Sequence, residues 1–186
     1  MVDDVILLSL LYSKQEMIAG RTLLQKTIYF LNEKNDLGID FVPYYYGPYS
    51  TEVTDALESL KSSGIISEEV REYVSFDFHV TFEPRKYIYH LTETGRKMAE
   101  NIAKENFPLA QRIERTVSSM QNQGALNSYK ALSIAAKMHN ILKLEDKSMT
   151  VGEILEEAKV LGWVISEDEA KNAIQFLNGF NLVSSS

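Results

Sequence analysis

Apolar residues run almost unbroken from Val5 to Tyr12, which predicts a helix buried on every side. Asp3 and Asp4 suit its N-terminus, and Gly20 breaks it. From Arg21 the period is that of a helix again, with Leu24, Ile28 and Leu31 on one face, flanked by Leu23 and Thr27. This helix is expected to end near Asn35, and Gly38 clears the turn. Phe41–Tyr46 carries Pro43 and reads as an extended segment or edge strand, and Gly47-Pro48 forces a turn. Ser50 is a good N-cap for a third helix, with Glu52 in its first turn, Val53, Leu57 and Leu60 inward and Gly64 as C-cap.

The period then changes to two. Val74, Phe76, Phe78, Val80 and Phe82 alternate with Ser75, Asp77, His79 and Thr81, the pattern of a half-buried strand. Glu83–Lys86 is the expected turn, Tyr87–Leu91 the returning strand, and Thr92 the cap of a helix with Met98, Ala99 and Ile102. Three helices, a two-stranded hairpin and a further helix predict a winged helix. A short strand before the third helix would complete its sheet. A lone hairpin is marginal in water, so the apolar face of this one must lie on the helices.

Phe107–Gly124 reads as a linking helix begun by Pro108. Residues 127–142 form another, with Leu132, Ala135, Ala136 and Met138. Thr150-x-x-Glu153 and Ser166-x-x-Glu169 are capping boxes that open two more, closed by Gly162 and Gly179. The expected fold is mainly α with a small antiparallel hairpin, an α+β chain. A winged helix-turn-helix (1–105) and a linker (106–126) precede a helical, helix-turn-helix-like unit (127–186).

Composition narrows the chemistry. The chain has no cysteine, which excludes disulfides and thiolate metal sites. Its N-terminus is acidic where a secretory signal is basic, and its first apolar run is too short to span a bilayer, so a cytoplasmic protein with no membrane role is expected. The net charge of −7 runs against general nucleic-acid binding. His79, His90 and His139 are scattered, with no metal spacing, and no phosphate loop, dinucleotide fingerprint or nucleophile elbow is present. The expectation is a protein without catalytic activity and without a cofactor.

Two stretches, Thr22-Leu-Leu-Gln-Lys-Thr-Ile-Tyr-Phe-Leu31 and Tyr44-Tyr-Tyr-Gly-Pro-Tyr-Ser50, together resemble the Panacea antitoxin family and the related YwgA-like proteins. Those families carry a leucine-glutamine-lysine, apolar, tyrosine helix followed by an aromatic Tyr-Gly-Pro turn into a further helix. Leu91-Thr92-Glu-Thr-Gly95 is similar to the strand-to-helix junction of many winged-helix regulators. The resemblance covers roughly residues 5–105 and implies an antitoxin-like protein that binds a protein partner directly. Tyr45-Tyr46 stand where Panacea members often have a tryptophan-centred stretch, and the C-terminal unit has no counterpart in the antitoxin core. Both differences favour the YwgA-like group.

Candidate contacts follow from residue chemistry. Tyr45, Tyr46 and Tyr49 combine apolar area with a polar tip, although half of the tyrosine run is expected to point into the core. The third helix exposes Asp55 and Glu58 and adds only Lys61, so it suits a basic partner and would be repelled by phosphates. Gln25 is expected to bond the backbone of the Tyr-Gly-Pro turn. The competing reading is a homodimeric transcription regulator, paired through the helix at Phe107–Gln123. It requires Arg21, Lys26, Lys61 and the wing-tip pair Arg85 and Lys86 to converge on one face.

Overall fold

The computed structural model describes residues 1–72 and 85–183. Among them are eight α-helices and one three-stranded antiparallel sheet. In chain order these are α1 (Val2–Leu11), β1 (Met17–Ala19), α2 (Arg21–Asn35), α3 (Thr51–Ser62), β2 (Ile66–Glu72), β3 (Arg85–Leu91), α4 (Glu93–Glu105), α5 (Phe107–Asn122), α6 (Tyr129–Glu145), α7 (Val151–Val160) and α8 (Glu167–Gly179). The chain is thus mainly helical with a small sheet, as expected.

Beyond α1 and α2, the helices begin where side chains can satisfy the free amides of a first turn. Ser50, Thr92, Ser128, Thr150 and Ser166 each accept from an N–H three residues on. At Thr150 and Ser166 the capping box is complete, because Glu153 and Glu169 reach back to the cap residue's own N–H. Glu169 also meets Lys130 of α6 at 2.7 Å. The Lys130 ammonium, ahead of the Ser166 amide, holds the Glu169 carboxyl down at about 2. Ser166→Ala is expected to lower stability by about 1 kcal/mol in urea unfolding. An unchanged midpoint would show that the cap contributes nothing.

The sheet differs from expectation. Its order is β1-β3-β2, and β3 lies between two antiparallel neighbours. The third strand is Met17–Ala19, not the segment before α3, which forms only an isolated bridge between Val42 and Tyr49. The strand that pairs with β3 is Ile66–Glu72, and the alternating stretch 74–82, with His79, falls outside the described residues. Arg85 and Lys86, expected at the turn, instead belong to β3, opposite Glu72 and Arg71. The ladder is longer on this side than the apolar alternation suggested.

α2 is the centre of the molecule. Every residue from Leu23 to Asn32 is buried, polar ones included. The helix touches α1, α3 and β1 as well as α5 and α6. Phe30 packs edge-on against Phe176 and Phe180, and Tyr29 Oη lies 2.7 Å from His139 Nδ1. A single apolar cluster therefore runs from Val5 to Phe180, across the expected boundaries at 105 and 126. The linking helix α5, the helix expected to pair two subunits, contributes Leu109, Ala110, Ile113, Val117 and Met120 to it and so turns its apolar face inward.

Candidate functional site

Buried polar groups need partners, and three of those on α2, Gln25, Lys26 and Asn32, find them in the segment that leads to α3. Asn32 holds the backbone of Ile39 through both amide atoms, at 3.1 and 2.9 Å. Lys26 Nζ donates to the Pro48 carbonyl at 2.6 Å. Gln25 brackets Ser50, donating to its carbonyl at 2.9 Å and accepting from its N–H at 3.1 Å. The expected role of Gln25 is realised at the residue where the turn enters α3.

Between these anchors the chain makes a narrow loop. Val42 and Tyr49 exchange backbone hydrogen bonds at its base, at 2.9 and 2.8 Å. At the tip the Gly47 N–H donates to the Tyr44 carbonyl at 2.9 Å, closing a β-turn over Tyr44–Gly47. Gly47 is glycine for two reasons. Its φ is +94°, and a Cβ there would meet Lys137 Cγ at 3.0 Å and the Ser133 carbonyl at 3.4 Å. The Tyr44 carbonyl also accepts from Trp163 Nε1 at 3.0 Å, so the turn between α7 and α8 braces the tip from the side.

This scaffold presents aromatic rings to solvent. Tyr44, Tyr45 and Tyr46 are 60%, 70% and 46% exposed. Tyr45 and Tyr46 meet edge to face at 4.8 Å, and Tyr44 leans on Tyr49 at 5.1 Å. Tyr49 is half-buried, with its hydroxyl 2.7 Å from Thr54 Oγ1. The expectation that half the run would be core fails because the segment turns and does not alternate as a strand. Tyr44 therefore joins the surface beside the predicted Tyr45 and Tyr46.

Lys26 is only 2% exposed. Burial, with the neighbouring Lys137 charge as the smaller cause, pushes its ammonium down to about 7. Lys137 is itself pushed down by burial, and its Nζ sits 5.3 Å from the Trp163 ring centre.

The remaining candidates divide. Asp55 is exposed, next to the threonine that Tyr49 contacts. Glu58 belongs elsewhere: it pairs with Lys61 at 3.1 Å, and Lys61 also meets Glu68 of β2 at 3.0 Å. Arg21 approaches the same Glu68 at 3.7 Å while stacking 4.0 Å over the Tyr87 ring. The structure thus brings Arg21 and Lys61 together around the Glu68 carboxylate, with Glu58 as a second partner of Lys61. Lys86 is exposed on β3, and the Arg85 side chain lies outside the described residues. Arg21, Lys26 and Lys61 form no shared cationic face.

Trp163 and Lys137 went unnoticed in the sequence. The one signal pointing to Trp163 was its being the chain's single tryptophan, directly after Gly162. Among the described residues, no group of His, Asp or Glu is placed to hold a metal ion, and no helix is long and apolar enough to cross a membrane. The sequence matches no family model and no curated protein.

Proposed function

We propose that this chain is a non-catalytic, antitoxin-like adaptor of the winged-helix type that acts in the cytoplasm by binding a basic protein partner through the tyrosine turn. The observation that carries this reading is the presentation of Tyr44–Tyr46. Exposed aromatic rings stand on a backbone held by Lys26, Gln25 and Trp163, so little conformational freedom remains to be lost on binding. Tyrosines fixed in this way are the residue type that dominates protein interfaces.

The order helix, strand, helix, helix, strand, strand in residues 2–91 supports the winged-helix part of the proposal. The likeness to the Panacea and YwgA-like pattern gains a physical reason, because Gln25 and Lys26 are the side chains that hold the Tyr-Gly-Pro turn. Protein is favoured over DNA because Arg21 and Lys61 are spent on Glu68 and Lys26 is buried.

The test combines Tyr45→Ala with Tyr46→Ala, leaving the turn's backbone bonds in place. The double variant is expected to stay folded, with a cooperative unfolding transition. It should lose capture of the native chain's protein partner by about tenfold or more, in line with the loss of two interface aromatics. The native chain should pass through heparin and duplex DNA columns unretained at low salt. Undiminished capture by the double variant, or salt-sensitive DNA retention, would overturn the proposal.

A further inference from the structure

We infer that the tyrosine turn and the α7–α8 turn form one composite docking surface whose occupant is an extended, arginine-bearing segment of another protein. This rests on reading the tyrosine turn as a partner surface and adds the partner's chemistry and a second half of the site.

The second half comes from the Trp163 indole, which bonds the Tyr44 carbonyl and so brings the 161–164 turn alongside the tyrosines. Trp163 is buried, yet the next residue, Val164, is 94% exposed, and Leu161 is also exposed. An apolar valine is thus left open to solvent one residue from the indole that bonds the tyrosine turn, and apolar surface clustered with exposed aromatic residues marks binding surfaces.

Two exposed carboxylates at the feet of the loop select the occupant, while the cation Lys137 is half-buried against Gly47 and Trp163. Asp40 precedes the foot of the loop at Val42, and Asp55 follows Thr54 at the other foot. Both are exposed, and neither is in an ion pair among the described residues. Ring faces attract cations, and carboxylates bind the guanidinium fork in two-pronged fashion. Arginine satisfies both demands at once, whereas the lysine ammonium is a compact, strongly hydrated charge that stacks poorly. The chain already contains this arrangement in Arg21, which lies over the Tyr87 ring while reaching the Glu68 carboxylate. An extended segment suits the surface because alternate side chains could stack on the tyrosines and rest on Val164.

The single tryptophan, bonded to the turn, gives a direct fluorescence reading of occupancy. The probes are a short peptide alternating arginine with valine and serine, and its lysine and glutamine counterparts, titrated into the whole chain and checked by calorimetry. The arginine peptide is expected to bind about fivefold more tightly than the lysine peptide, and the glutamine peptide not measurably. Asp40→Asn with Asp55→Asn should weaken the arginine peptide, and so should Val164→Ser. Lysine binding as tightly as arginine, or glutamine binding as tightly as either, overturns the arginine assignment and leaves the tyrosine surface intact. An unaffected Val164→Ser variant overturns the composite site. If Tyr45→Ala with Tyr46→Ala binds the arginine peptide as the native chain does, both this inference and the underlying surface fall.

Discussion

Gly95→Ala is expected to destabilise the protein by about 3 kcal/mol or more, as overpacking does where neither side can yield. Gly95 lies in the first turn of α4, against the end of the connection from α3. A Cβ there would stand 2.1 Å from the Ile65 carbonyl oxygen and 3.1 Å from its carbon. That carbonyl cannot retreat, because it accepts from both the N–H and the hydroxyl of Thr92, at 3.1 and 3.0 Å. The alanine methyl must therefore lift α4 from the sheet and break both bonds, each worth about 1 kcal/mol net. The same geometry explains the Leu-Thr-x-x-Gly junction: threonine hooks the carbonyl, and glycine lets the helix lie close enough to be hooked. Gly152→Ala is the control. It is also helical, but nothing lies within 4 Å of its added methyl, and it should gain up to about 1 kcal/mol. Urea unfolding of the two variants side by side decides the matter. A Gly95→Ala loss no larger than about 0.5 kcal/mol would remove the close approach as an explanation, since surface substitutions do as much.

The second large effect is a dependence of stability on pH carried by Lys26. Its ammonium titrates at about 7 in the folded chain, against 10.5 as its ordinary value. Between those two values the unfolded chain holds the proton and the folded chain does not. Stability therefore rises with pH across this window, and below about 7 the penalty of burying the charge is present in full. One pKa unit is about 1.4 kcal/mol, so the whole swing is a few kcal/mol. Lys137 is shifted in the same direction and adds to the slope. The Lys26 share is isolated by Lys26→Met, which fills the space and cannot titrate. The native chain should gain about 2 kcal/mol or more over the variant between pH 7 and about 9.5. A native-minus-variant difference that stays flat over that range would mean that the buried amine keeps an ordinary proton affinity.

The legible parts of this fold were those encoded within a few residues. Ser50, Thr92, Thr150 and Ser166 announced their helices because a cap needs only its own first turn. The strands were harder, since pairing is decided by residues far apart. Ile66–Glu72 reads Ile-Ser-Glu-Glu-Val-Arg-Glu, with little apolar alternation. It is a strand because β3 offers it a ladder and because Lys61 and Arg21 meet Glu68 on its inner side. The candidate site was legible in residue type but not in exposure. The sequence predicts an extended segment over Tyr44–Tyr46, and an extended segment would hide half of them. The burial of Lys26 had no local sign at all. It follows from α6 closing over the side of α2 that the apolar spacing of Leu24, Ile28 and Leu31 leaves polar.

The ring of Phe30 sits against two phenylalanines contributed some 150 positions later along the polypeptide, and the tip of the aromatic loop hangs from an indole nearly as remote. The last third of the chain is consequently part of the frame that aims those rings outward. Loosening the seat of the final helices would therefore slacken the loop that carries the rings.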